Sequence, residues 1–563
     1  MKKEQEKEEG PEAIQKYPLF CSYRLILALV GYFMFFHLYA QRIGMSVAIV
    51  CMVNQTAVKQ LTQLAAESND HLSLSSSFNM TSSSSVNLTS PPPTLTQAEK
   101  CGVFETNETK AVLDGPFVWE KSVQGHILSS FFYGYLVSQI PGGLMAEQFG
   151  GKWVLVGSLG LSTFATLLTP VAAHIHIGLL IFVRVLCGIG SGTLYPAMHA
   201  MWGQWSPPLE RSTLCGLTYA GAMMGNVIAL PVSGLLCQHG FSQGWDSIFY
   251  IIGMSSTVCI IVWSLVTSNT PAQHPKMSRE EKKYIIDSIK IGGGSTAKTD
   301  LCKVPWAKFF TSGPVWALII ANFSTDWGLY TYLTNIPTFY KEVLFFDISS
   351  NGFFSALPFL GLWAVMNIVP VIADKLQSSG VLSTVATRKI FNTIGLVGPA
   401  ILLICLSFID CTQTAVAVVL LVLAVSVSGF VFSGYLVNHM DIAPQYAGTL
   451  MGLANGISAC SGFLAPNVAA YVTKDQSRES WQIVFSIAAV VYVVGAVLYC
   501  VLASAEIQPW ARDQLDPVEV DLEEKQNGNG IYKIATPIDN GAMTQPMLTK
   551  YEPLKKDADN VVS

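Results

Sequence analysis

Apolar and polar positions alternate along the chain in long blocks rather than at the short periods of an amphipathic soluble fold. Apolar runs fall at roughly 25–53, 123–147, 153–173, 177–203, 212–237, 247–267, 314–340, 351–373, 389–409, 414–437, 446–472 and 481–504. Each is long enough, at 1.5 Å per residue, to cross a hydrocarbon core of about 30 Å as a helix. The pattern predicts twelve membrane-spanning helices. Two polar gaps, 54–121 and 268–313, interrupt them, and a polar tail begins near 505. The expected organisation is a segment 1–24, a six-helix bundle 25–267 containing the loop 54–121, a linker 268–313, a second six-helix bundle 314–504 and a tail 505–563.

Composition agrees with this reading. Of 563 residues 51% are hydrophobic and only 13% charged, with a mean hydropathy of +0.42. A soluble enzyme, a collagen-like chain and a disordered regulator are excluded. The net charge of −5 is too small and too scattered for a nucleic-acid partner. Lysine and arginine place the N-terminal segment, the linker and the tail in the cytosol. Eighteen lie in the segments that would be cytosolic and seven on the opposite side. No cleavable signal peptide is expected, because the first twenty residues are highly charged and the first apolar run is too long.

The loop 54–121 would then be luminal or extracellular. Its four acceptor sequons, at Asn54, Asn79, Asn87 and Asn107, in a Ser/Thr/Pro-rich stretch, predict a glycosylated loop. Most of the twelve cysteines, Cys187, Cys259, Cys405, Cys460 and Cys500 among them, sit inside apolar runs. They read as small buried side chains, with no metal-ligand spacing. Tyr219-Ala-Gly with Met224-Gly recurs 227 residues later as Tyr446-Ala-Gly with Met451-Gly, as two parallel six-helix halves would give.

The chemistry lies in charges that no turn explains. Arg42, Arg184 and Asp326 fall within spans 1, 4 and 7, where an unanswered charge costs about 2.5–3.5 kcal/mol. Two guanidiniums in one cavity make an anion site, since each grips carboxylate or phosphate through paired hydrogen bonds. A structural network in which Asp326 neutralises one arginine is the competing account. Asp326 and His199, fifteen residues beyond Arg184 on the same helical face, are the candidates for carrying a coupling proton. The turn Gly143-x-x-x-Glu147-x-x-Gly150-x-Lys152 resembles the loop motif of the major facilitator superfamily, whose acid faces a helix N-terminus and braces the inward gate. A degenerate copy surrounds Asp374, with Arg388 beyond it. The sequence shows no HExxH, nucleophile elbow or paired carboxylates of an enzyme, and no ring of charges of a channel.

Longer matches sharpen this. Arg42-Ile-Gly-Met-Ser-Val-Ala-Ile-Val, Phe131-Phe-Tyr-Gly-Tyr, Gln139-Ile-Pro-Gly-Gly, Pro196-Ala-Met-His-Ala-Met-Trp202, Trp205-Ser-Pro-Pro-Leu-Glu-Arg211 and Asp441-Ile-Ala-Pro-x-Tyr-Ala-Gly448 resemble the anion transporter family of sialin, the vesicular glutamate transporters and the type I sodium–phosphate cotransporters. The sialin-like branch is the nearest in pattern. The resemblance implies an all-α fold of two six-helix bundles working by alternating access, with Arg42 and Arg184 on a small anionic substrate such as an acidic sugar or acidic amino acid. It implies no cofactor beyond H+ or Na+ as coupling ion. Two departures stand out. Cys187 and Ser191 occupy positions where sialin-like sequences carry glutamates, and Thr325 and Leu128 stand where glutamate loaders carry arginine and histidine. The alternative is a sodium-dependent phosphate or organic anion cotransporter. Tyr551-Glu-Pro-Leu554 in the tail matches a tyrosine-based sorting signal for an adaptor, which leaves lysosomal or vesicular membrane and plasma membrane both open.

Overall fold

The computed structural model describes residues 17–54, 56–58, 60, 115–291, 304–344, 348–409, 411–473, 477–512 and the strands 520–527, 530–537 and 547–548. Among the described residues, twelve rods cross the main body, which falls within Met1–Ile507. Span 1 is α1 (Tyr23–Met52), followed by α2 (Lys121–Phe149) and α3 (Gly151–Ile175). Span 4 is split into α4 (Ile177–Gly192) and α5 (Leu194–Trp205). Then come α6 (Arg211–His239) and α7 (Trp245–Val266). The linker contributes α8 (Arg279–Ile291) and the short α9 (Trp306–Thr311). The second half holds α10 (Gly313–Glu342), α11 (Ile348–Ser378) and α12 (Thr384–Ser407). It continues with α13 (Thr414–Ser428) and α14 (Tyr435–Ile442), then α15 (Ala447–Ser458) and α16 (Ser461–Val472), and closes with α17 (Arg478–Leu502). Every predicted span has its rod, but spans 4, 10 and 11 are each broken in two. The tenth runs on to Ile442 beyond a 3-10 turn at Gly429–Ser433.

Nine of the described helices, two of them counted across such breaks, are long and apolar enough to cross a membrane. Their outward faces carry bare apolar side chains, with Leu265 and Val501 more than two-thirds exposed. That surface is stable only against lipid. Serines start the helices where the pattern turns from polar to apolar. Ser22 accepts from Leu25 N, Ser383 from Ala386 N and Ser477 from Ser480 N, each meeting one of the orphan amides of a first turn.

Within the first half α1 packs along α6, and α2 and α3 flank α4. Within the second, α12 and α10 pack on α17, and α13 lies against α11 and α12. The halves meet along two seams, α6 against α11 and α15 against α2 and α5. Gly143 is required at the second seam, because a Cβ there would lie 2.4 Å from Gly448 O.

Two sequence expectations change. Tyr219 lies eight residues into α6, whereas Tyr446 immediately precedes α15, so the two copies of the repeated stretch do not occupy equivalent places. The cysteines are also not all inert apolar groups. Cys51, near the end of α1, and Cys237, near the end of α6, form a disulfide with their Cα atoms 6.3 Å apart, and Cys405 is exposed. The signal was present, since both disulfide partners sit at span ends facing the predicted luminal side.

The tail unit, Gln508–Ser563, has its own small antiparallel sheet. Strand β1 (Val520–Asn527) pairs with β2 (Gly530–Pro537) in a register set by Asn527 opposite Gly530, and β2 pairs with β3 (Met547–Leu548). Tyr551 and Leu554 lie outside the described residues, as do Asn79, Asn87 and Asn107. Asn54 is described and half-buried, its Oδ1 accepting from Ala57 N at 2.8 Å.

The disulfide gives the first test. Maleimide-polyethylene glycol should modify Cys51 and Cys237 only after reduction, while exposed Cys21 reacts before it. Cys237→Ser should lower the melting temperature in line with a loss of about 2–4 kcal/mol. Ready labelling of Cys51 in unreduced protein would exclude the bond.

Candidate functional site

Arg42 leaves α1 into a shell of rings. Its guanidinium carbon is 4.9 Å from the centroid of Phe132, 5.5 Å from Phe131, 5.6 Å from Tyr39 and Tyr330, and 5.8 Å from Tyr135. One Nη donates to Tyr330 Oη at 3.3 Å, a contact from the first half to the second. Arg184 of α4 is only 3% exposed, and its guanidinium rests 5.3 Å from the same Phe131 ring. Its Nε has no hydrogen-bond partner among the described residues. Rings beside a guanidinium stabilise it through their negative faces while leaving its N–H edge free.

The other buried arginines are differently placed. Arg24 donates to Glu210 at 2.6 Å and to Glu281 at 3.3 Å. Asp441 receives Arg211 at 2.7 Å and Arg388 at 2.6 Å. Among the described residues Arg42 and Arg184 form no ion pair. Asp326 forms no ion pair with either of them, although Arg42 faces it; its Oδ2 accepts from Ser458 Oγ of α15 at 2.6 Å. It stands one turn before Tyr330 on α10.

His199 is not brought to the arginines. It is fully buried, with Nε2 3.1 Å from the Leu436 carbonyl and Nδ1 2.7 Å from Tyr219 Oη. Nδ1 also faces the Tyr195 carbonyl at 3.2 Å, so a carbonyl acceptor stands opposite each ring nitrogen. Both nitrogens are occupied, tying α5 to α14. Cys187 and Ser191 join a neutral network instead. Ser162 Oγ lies 3.3 Å from Cys187 Sγ and 3.1 Å from Ser191 Oγ, and donates to Gln41 Oε1, whose amide donates to Thr163 and Ser256.

At the end of the bundle that carries the linker, the two loop-motif acids do the same job in opposite directions. Glu147, from the first half, accepts from Thr449 N at 2.7 Å and Thr449 Oγ1 at 2.6 Å in the first turn of α15. Asp374, from the second half, accepts from Thr213 N at 2.6 Å and Ser212 N at 3.3 Å in the first turn of α6. Each carboxylate sits on the positive end of a helix in the opposite half. The two acids are themselves 227 residues apart, so the twofold relation lies in them. Gly150 makes the turn after Glu147 with φ +95°, a conformation costly for any side chain. Lys152 takes no part in the Glu147 bonds. Its ammonium lies 4.9 Å from the Trp153 ring, and its backbone N–H donates to Asn269.

Sequence reasoning missed the centre of this closure. Asp441 joins Arg211 of one half to Arg388 of the other, and Arg388 also donates to Ser212 Oγ at 3.0 Å. Asp441 and Arg211 both lie in segments noted for resemblance alone, and a buried acid flanked by Ile and Ala-Pro was the available signal. Arg24, Glu210 and Glu281 were also missed. Glu281 of α8 reaches the first turn of α1, accepting from the backbone N–H of Tyr23 and Arg24. The linker helix is thereby clamped to the first half.

A bundle of twelve spans, with an unpaired cationic centre between halves that are locked at one end, defines a multi-pass membrane transporter. The Major Facilitator Superfamily model matches residues 72–466. Human sialin is 38% identical over 505 residues, 89% of this chain and 93% of its own. Human vesicular glutamate transporter 2 is 43% identical over 407 residues, 72% and 68%. An uncharacterized transporter of Caenorhabditis elegans is 39% identical over 493 residues, 87% and 93%. The proton:xylose symporter XylE shares the fold with a TM-score of 0.58 at 15% identity, over 84% of this chain and 94% of its own. The chain belongs to the major facilitator superfamily and, within it, to the family of sialin and the vesicular glutamate transporters. It is a transporter rather than an enzyme.

The buried pairs at the linker end generate a prediction. Asp441→Asn leaves two guanidiniums short of their counter-charge, and breaking a buried pair costs about 3–5 kcal/mol. The closed seam should open. Cys215, fully buried in α6 beside this cluster, is a native reporter. Its maleimide labelling should accelerate by about 10- to 100-fold in Asp441→Asn. An unchanged rate in folded protein would show that Asp441 does not hold the seam.

Proposed function

We propose that the protein is a proton-coupled secondary transporter of small organic anions of the sialic acid or acidic amino acid type. The observation that carries the reading is the contrast among buried arginines. Arg24, Arg211 and Arg388 each have a carboxylate of the chain, whereas Arg42 and Arg184 share a ring and have none among the described residues. An anion entering between the halves supplies the missing charge and takes the free N–H edges of both. The aromatic shell excludes water and presents apolar surface to the rest of the substrate.

Asp326 is the coupling group in this reading. It is a carboxyl on the second half's α10, one turn from the tyrosine that Arg42 touches. His199, with both nitrogens occupied, is the weaker candidate and belongs to the seam. Binding of anion and proton offsets the loss of the linker-end contacts, and the halves rock about the site. Sodium-dependent cotransport of phosphate or an organic anion is the second reading. It draws on the neutral network around Cys187 and Ser191, which gives the first half no proton carrier beside Arg184.

The linker end is assigned to the cytosol, with both termini, and the opposite end to the lumen or exterior. The Cys51–Cys237 disulfide supports this, since such bonds persist on the oxidising side. Glycosylation of the 54–121 loop and adaptor binding at Tyr551–Leu554 follow from the same topology. Residence in a lysosomal or vesicular membrane is suggested by the relatives, and the plasma membrane is the alternative.

Uptake into proteoliposomes tests the reading, with labelled sialic acid, glutamate and phosphate compared under a pH gradient and under a sodium gradient. Sialic acid or glutamate should accumulate with the pH gradient. Arg42→Ala and Arg184→Ala should each lower uptake by about 100-fold, and Arg42→Lys should not restore it, because an ammonium lacks the paired donors. Asp326→Asn should abolish accumulation but spare exchange. Sodium-driven phosphate uptake indifferent to pH would favour the second reading.

A further inference from the structure

The contact between Asp326 and Ser458 has an unusual hydrogen inventory. Ser458 Oγ lies 2.6 Å from Asp326 Oδ2 and also 3.1 Å from the carbonyl of Asn455, one turn back on its own helix. A hydroxyl has one hydrogen to give and lone pairs to accept with. Beside an ionised Asp326 that hydrogen goes to the carboxylate, the stronger acceptor, and the Asn455 carbonyl keeps only the Ala459 N–H, at 2.9 Å. Beside a protonated Asp326 the acid donates to Ser458 Oγ, and the serine hydrogen turns to the Asn455 carbonyl. Both bonds are then made. The same contact runs in opposite directions in the two charge states.

Asn455 is where α15 grips the other half. Its Nδ2 donates to Tyr135 Oη at 3.1 Å and to Gln139 Oε1 at 3.0 Å, both on α2. Tyr135 is also one of the rings around Arg42. The groups facing Asp326 are Arg42 of α1, Tyr330 of its own helix, Tyr435 of α14 and Tyr492 of α17, and of these only Arg42 carries charge.

We propose that Ser458 is a positioning residue that conveys the charge state of Asp326, through Asn455, to the seam between α15 and α2. The inference rests on Asp326 being the coupling carboxyl. An anion on Arg42 adds negative charge beside Asp326 and favours its taking up a proton; by reciprocity the proton tightens the anion. Ser458 then gives its hydrogen to the Asn455 carbonyl as a second donor beside the Ala459 N–H, and stiffens the turn that holds Asn455 against Tyr135 and Gln139.

The test is an infrared titration of the full chain in lipid vesicles, reading the protonated-carboxyl C=O band that Asp326→Asn removes. In Ser458→Ala the band should change frequency and its midpoint should shift by about one pH unit, since the bonds of Ser458 to the two charge states differ and both are gone. Ser458→Thr should restore both. Asn455→Ala should leave the band in place yet flatten the pH dependence of labelled sialic acid or glutamate uptake. A Ser458→Ala band unmoved from wild type overturns the inference while leaving Asp326 as the coupling group. A wild-type pH response of uptake in Asn455→Ala overturns the link to the seam. If Asp326→Asn removes no titrating band, the coupling reading itself falls. Each variant is first checked for a single folded peak by size exclusion, with Ser458→Cys, a weaker donor expected to fall between, standing in if alanine unfolds.

Discussion

A guanidinium cannot shed its charge, and in a low-dielectric interior it needs a negative partner or a shell that substitutes for water. That requirement organises this protein. Where the chain supplies the partner, as Asp441 does for Arg211 and Arg388, two halves are joined and one end of the pathway is shut. Where it withholds the partner, at Arg42 and Arg184, rings hold the cations in place and the site is left to be completed from outside. Closure and recognition use the same residue type, and the difference is whether an acid of the chain lies opposite.

The two helix-capping acids add a second layer to the closure. Glu147 and Asp374 each borrow the first turn of a helix in the other half, so the contact is lost whenever the halves separate at that end. Separation therefore leaves first-turn amides and carboxylates to water, which is a modest cost compared with exposing a buried ion pair. A graded set of contacts of this kind lets the binding energy of a small ligand offset the opening.

Much of the fold was legible because membrane spans obey a single length rule, and the twelve apolar runs met it. The breaks in spans 4, 10 and 11 were not, because Thr193, Gly429–Ser433 and Cys460 sit in stretches that stay apolar across the break. The unpaired arginines stood out as charges within spans, and the loop motif disclosed Glu147 and Asp374. What escaped were pairs whose members are 230 and 186 residues apart. Asp441 and Arg211 look like ordinary loop residues until the seam brings them together, and Cys51 and Cys237 look like apolar filler until α1 lies along α6. His199 shares a helical period with Arg184 on paper, yet the split between α4 and α5 and the reach of Tyr219 turn it to the seam.

The bond between Cys51 and Cys237 also sets a timetable for making the protein. At about 5–20 residues per second, the ribosome needs roughly 10–40 s after Cys51 to deliver Cys237. Throughout that interval the first thiol stands at the mouth of its helix, and Cys101 is synthesised before its proper partner. Correct pairing therefore depends on α1 waiting for α6, and biogenesis becomes sensitive to the speed of translation and to the isomerases that undo an early, wrong bond.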